Sequence, residues 1–180
     1  MAQAIPGILF TSTAIGVVSN NATEASIIGP GIGTNLLPAN FLTVGKAVRV
    51  TASGYYSTQI VPVTLNIRYR LGGAAGTGGT EILTTGDQTP AGNLSNMFWR
   101  VVTELTCQTT GATGTLIGQS AWEHQSTATG SPINWQMIAT TAATTNTTTE
   151  NRVQLSADWA AGVDSADSIV CTNCSIEALN

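Results

Sequence analysis

Hydrophobic and polar positions alternate with period two along several long runs of this chain. Val63, Leu65, Ile67, Tyr69 and Leu71 interleave with Thr64, Asn66, Arg68 and Arg70. Val153, Leu155, Ala157 and Trp159 oppose Arg152, Gln154, Ser156 and Asp158, and Val170, Thr172, Cys174, Ile176 and Ala178 alternate through the last run. Met97, Trp99, Val101, Thr103, Leu105 and Cys107 share one parity, while the other carries Phe98, Arg100, Val102, Glu104, Thr106 and Gln108. That run is amphipathic without being strictly polar on its second face. Successive side chains of a strand point to opposite faces, so the alternation predicts half-buried antiparallel strands. It places Leu65, Ile67, Tyr69, Trp99, Val101, Leu105, Val153, Leu155, Trp159, Val170 and Ile176 in a core.

Weaker strand patterns cover 8–18, 25–28, 47–56, 81–84, 115–125 and 133–140. Turn chemistry separates them at Gly29-Pro30-Gly31, Gly72-Gly73, Gly78-Gly79, Thr89-Pro90-Ala91-Gly92 and Gly130-Ser131-Pro132. No stretch sustains a 3.6-residue period with helix caps. The expected fold is all-β, an antiparallel β-sandwich with a jelly roll as the leading topology. Residues 31–180 form that sandwich domain. Residues 1–30 are apolar but interrupted by Pro6, Gly7 and Gly16, which weakens them as a central strand. They are expected as an N-terminal arm or edge strand, with Ile5, Ile8, Leu9, Phe10, Ile15 and Val18 as anchors on a neighbouring subunit or the capsid surface. The Thr- and Ala-rich stretch 139–149 reads as a long loop or a side-chain-poor strand.

Charge changes the picture most. Only 9% of the 180 residues are charged and Lys46 is the only lysine, where an ordinary soluble domain carries about 25%. Such a surface is suited to being covered by neighbours, which points to an assembly subunit. Six basic residues scattered through a chain of net charge −4 supply no phosphate-binding patch, so nucleic acid is not an expected partner. No apolar run approaches the roughly 18 residues of a membrane span, and the opening stretch lacks the basic start of a secretory signal. Three cysteines make no closed disulfide set and are expected as buried free thiols.

The motifs that suggest chemistry each have a plainer explanation. The glycine-rich run 71–79 is followed by a strand pattern, not by the Lys-Ser/Thr and helix of a phosphate loop. It reads as a hairpin. Cys171 and Cys174 resemble half a zinc knuckle, but residues three apart in a strand face opposite ways, so Cys171 is expected to point away from Cys174. His124 is the only histidine, and no Gly-x-Ser-x-Gly elbow accompanies it. Glu104 and Glu123 are the acid pair a glycosidase would use. Asp158, Asp164 and Asp167 surround a turn that calcium could occupy. The expectation is no catalytic, cofactor or metal site. Trp122, Trp135, Tyr55 and Tyr56 are either buried or available for stacking on a sugar.

Several stretches resemble a family of tailed-phage virion proteins with a trimeric jelly roll similar to that of tumour necrosis factor. They are Leu37-Pro38-Ala39-Asn40-Phe41-Leu42-Thr43-Val44-Gly45-Lys46, the run Arg49 to Thr58, Leu65 to Gly72, the strand from Trp99 to Thr106, Thr110-Gly111-Ala112-Thr113-Gly114, and the ending Asp158-Trp159 to Ile176-Glu177. The resemblance covers roughly residues 30–180. It implies a homotrimer on a virion, made in the host bacterial cytoplasm. The leading function is a capsid decoration (cement) protein that contacts the major capsid protein or other virion proteins. The alternative is a fibre-head domain that binds a host-surface glycan.

Overall fold

The alternating runs form the long strands of two antiparallel sheets. In the computed structural model, residues 7–73, 78–127, 130, 132–160 and 164–180 are described. Their strands are β1 (Gly7–Ser12), β2 (Gly16–Ser19), β3 (Ala25–Ser26), β4 (Gly31–Gly33), β5 (Leu36–Leu37), β6 (Ala47–Ser57) and β7 (Leu65–Leu71). Then follow β8 (Thr80–Thr84), β9 (Met97–Thr109), β10 (Gly114–His124), β11 (Ile133–Ile138), β12 (Ala143–Thr145), β13 (Asn151–Trp159) and β14 (Ser168–Ala178). No helix occurs among the described residues.

The larger sheet has nine strands in the order β11-β10-β9-β6-β14-β1-β4, with β12 also on β10 and β2 also on β14. The smaller has five, ordered β3-β13-β7-β8, with β5 also on β13. Their facing sides bury the core: Trp99, Val101 and Leu105 from β9, Leu65, Ile67 and Tyr69 from β7, Val153, Leu155 and Trp159 from β13, and Ile176 from β14. All of the residues expected inside are buried. Val170 is buried on the outward side of the larger sheet, in register between Tyr55 and Val17.

The glycine-rich run 71–79 joins β7 to β8, with Leu71 paired to Thr80. Gly72, Gly73, Gly78 and Gly79 all have positive φ, a backbone region open to glycine at no steric cost. The 139–149 stretch supplies the short strand β12, and Asn146 Oδ1 accepts hydrogen bonds from the Thr148 backbone N–H and hydroxyl.

Two expectations are corrected. Residues 7–28 do not leave the sandwich as an arm: β1 and β2 both pair with β14, and β3 pairs with β13. The turn at 13–15 and a bulge between Ile8 and Phe10 break the segment into short strands, which accommodates its glycines without interrupting a long ladder. The edge-strand alternative is nearer, since β1 lies one place in from the edge strand β4.

The second correction concerns the cysteines. A bulge between Cys171 and Asn173 puts two residues opposite one on β6, so both Cys171 and Cys174 face the core. All three cysteines are buried free thiols. Burial pushes the Cys171 thiol up to about 11 and the Cys174 thiol up to about 12, which opposes the thiolate that metal binding needs.

Candidate assembly face

The outward sides of the two sheets differ in kind. On the smaller sheet, Arg68 and Arg70 project beside Glu24, Glu81 and Asp158. Arg70 Nε donates to Glu24 at 2.7 Å, and Arg68 Nε lies 3.2 Å from Glu81. Arg68 also pairs with Asp158, and Ser156 donates to Glu24. Burial alone would raise the Glu24 carboxyl, but hydrogen bonds from Arg70 and Ser156 hold it below the usual carboxylate range. This is a closed polar network.

On the larger sheet the outward side carries rows of residues in register. One runs Ile32, Thr11, Ser175, Thr51, Val102, Ala121, Gln136 across seven strands. The next runs Ile8, Glu177, Arg49, Glu104, Gln119, Ile138. A third holds Val17, Val170, Tyr55 and Phe98. Ile8, Val17, Ile32, Phe98, Val102 and Ile138 are exposed there. Between them the charges are paired in the plane of the sheet. Arg49 Nη2 lies 2.6 Å from Glu104 Oε1, and Arg100 Nη2 lies 2.9 Å from Glu123 Oε2. Over β10 the face is hollowed into a trough of about 460 Å³, floored by Ala121 and walled by Val102 and Ile138, with a second hollow of about 260 Å³ adjoining it past Gln119.

The anchors expected from the sequence divide between surface and interior. Ile8 and Ile15 are exposed, Leu9 packs partly buried against the core, and Phe10 and Val18 are core residues of this chain. Phe10 and Val18 are therefore not free to anchor a neighbour. Ile5 lies outside the described residues. The residues missed by that reading are Val17, Ile32 and Ile138, together with Phe98 and Val102. The last two had a visible signal, an apolar residue on the polar parity of an amphipathic strand.

The remaining candidates do not converge. Glu104 and Glu123 share a face, but their cross-strand partners Gln119 and Arg100 leave them four positions apart along the ladder, about 13 Å at 3.3 Å per residue. A glycosidase pair stands about 5–9.5 Å apart. Asp167 is buried and accepts backbone N–H groups of Gln59 and Asp164, both at 3.1 Å, while Asp158 is held by Arg68. Among the described residues no three His, Cys, Asp or Glu side chains group as metal ligands. Most of the aromatic residues that could offer a sugar platform are spent inside: Trp122, Trp99, Trp159 and Tyr56 are fully buried and Trp135 is partly buried.

His124 sits in that aromatic interior, stacked on Trp122 with ring centroids 4.2 Å apart and beside Trp135 at 4.4 Å. Tyr56 meets it edge-on at 5.8 Å. Burial pushes its imidazole down to about 4 against a Trp122 backbone hydrogen bond that acts upward. The folded state thus favours the neutral ring, relative to about 6.5 when unfolded. That stabilisation is complete above pH 6.5 and is lost as pH falls toward 4, reaching about 3 kcal/mol. Urea unfolding at pH 7 and pH 4 will show the loss, and His124→Phe, which keeps a ring and cannot titrate, will be less acid-sensitive by that amount. Equal acid sensitivity of the two proteins would contradict the assignment.

No known protein family, no curated protein and no solved structure matches this chain.

Proposed function

We propose that this chain is a structural subunit of a tailed-phage particle, a capsid decoration protein that works as a homotrimer on the shell. The observation that carries the proposal is the outward side of the larger sheet, where exposed apolar side chains surround charges already paired with one another. Such a surface associates: its apolar area gains from leaving water, and its ionic groups bring their partners with them. The trimer and the phage setting come from the sequence resemblance. The strand order supports a jelly roll, because β6 lies between β14 and β9 in one sheet while β7 lies between β13 and β8 in the other. From β2 to β7 and from β12 to β14 successive strands alternate between the two sheets, as in a jelly roll, while β7–β8 and β9–β12 each stay within one sheet.

The function would be to hold the shell together against the pressure of packaged DNA through contacts with the major capsid protein. Binding of a host glycan by a fibre head has less support, since few of the chain's aromatic rings are exposed. The test is to image intact particles with this chain labelled and to heat particles lacking it. Density on the capsid surface and DNA release at a lower temperature are expected. Density confined to the tail or fibres, with unchanged shell stability, would contradict the proposal.

A further inference from the structure

We infer that the partner of the larger sheet's outward face is a second copy of this chain, with the β1–β4 end of one copy seated in the β10–β11 trough of the next. This rests on the association reading above and deepens it. The two ends of the face are unlike. At one end Ile8 and Ile32 stand out, 68% and 75% exposed, on β1 and the three-residue edge strand β4. At the other, the small side chain of Ala121 on β10 floors a recess bounded by Val102 and Ile138. A contact between unlike ends is heterologous, and repeated by rotation it closes a ring.

Size and charge both fit a copy of the same protein. Seven strands spaced about 4.8 Å and roughly seven residues of about 3.3 Å each make a face of about 800 Å², so each of a copy's two contacts takes about 400 Å² of it, and closing the ring engages about the area that a partner gives to a standard stable interface. The charges on the face are two arginines against three glutamates, with Arg49 bonded to Glu104 and Arg100 to Glu123. They can be covered without stranding more than one carboxylate. The single lysine, a residue depleted at interfaces, is not on this face. Lys46 lies at the end of the sandwich, bonded to the Asn180 carbonyl and over the Phe41 ring.

The experiment uses the full chain with Ile32→Asp, which spoils the protruding end, and Ala121→Glu, which spoils the trough. Both positions are exposed, and a retained cooperative thermal transition with an unchanged far-UV circular dichroism spectrum will show that the variants fold, even where the loss of association lowers the midpoint. Each variant alone is expected to sediment as a monomer with association weakened at least tenfold. An equal mixture is expected to form one-to-one dimers and nothing larger, because one intact contact remains and the two spoiled ends repel. Val102→Glu, in the middle of the row, is expected to be monomeric as well, and Val61→Asp, an exposed apolar residue off the face, to keep the wild-type mass. If the wild type associates and the face variants still do, the face assignment is overturned while the association reading stands. If both single variants are monomeric and their mixture stays so, the unlike-end arrangement is overturned. A wild type that is itself a monomer at micromolar concentration overturns both.

Discussion

Replacing Trp99 with Ala will lower the unfolding free energy by about 3–5 kcal/mol, the range for a large aromatic removed from a core. Trp99 is fully buried between the sheets. Its indole Nε1 donates to the carbonyl of Tyr55 at 3.2 Å and to that of Val170 at 3.1 Å. The side chain therefore ties β6 to β14 beside Gly54, which is paired with Cys171. There is no room for a side chain at Gly54, because a Cβ there would stand 1.8 Å from the Val170 carbonyl oxygen. Loss of the ring removes apolar burial and takes the indole donor from two carbonyls. Trp99→Phe separates the effects: it restores much of the volume and lacks the N–H, so it will fall between the wild type and the Ala variant. Urea denaturation with an unchanged slope measures both. A loss below about 1 kcal/mol for Trp99→Ala would contradict this account of the core.

Removing residues 1–20 will unfold the sandwich rather than merely free it from a partner. The deletion takes away β1 and β2, and with them the cross-strand neighbours of β14 at both of its ends. It empties the core positions of Phe10 and Val18, each contributing about 1.5–3 kcal/mol by burial. It also uncovers Ile169 and Ile176, which those side chains pack beside. Against a total stability of about 5–15 kcal/mol for a domain, losses of this kind leave no margin. The truncated chain is expected to lose its cooperative thermal transition and aggregate. A sharp transition near the wild-type temperature would show that the segment is dispensable to the fold.

How far the sequence carried depends on how regular each strand is. The runs through Tyr69, Trp99 and Trp159 alternate without interruption, and their faces follow from parity alone. The segment before residue 30 misleads because its glycines and Pro6 argue against one continuous strand, while residues 7–28 form several short ones. Parity also fails at β14, where the bulge after Cys171 turns two cysteines to the same side. A bulge is a matter of pairing with β6, which no local pattern in Val170–Cys174 reveals. The candidate assembly face was legible only in outline. The scarcity of charge signals a covered surface, but where it lies depends on register across seven strands. Ile32 and Ile138 come from turn-flanked segments too short to show an alternation of their own.

This chain is proposed to act by associating with itself, and the mass of the wild-type protein in solution tests that most directly. Sedimentation equilibrium or native mass spectrometry of the full chain at micromolar concentration is predicted to give a single species of three times 18.5 kDa. A stable species of 18.5 kDa with no larger assembly would contradict it.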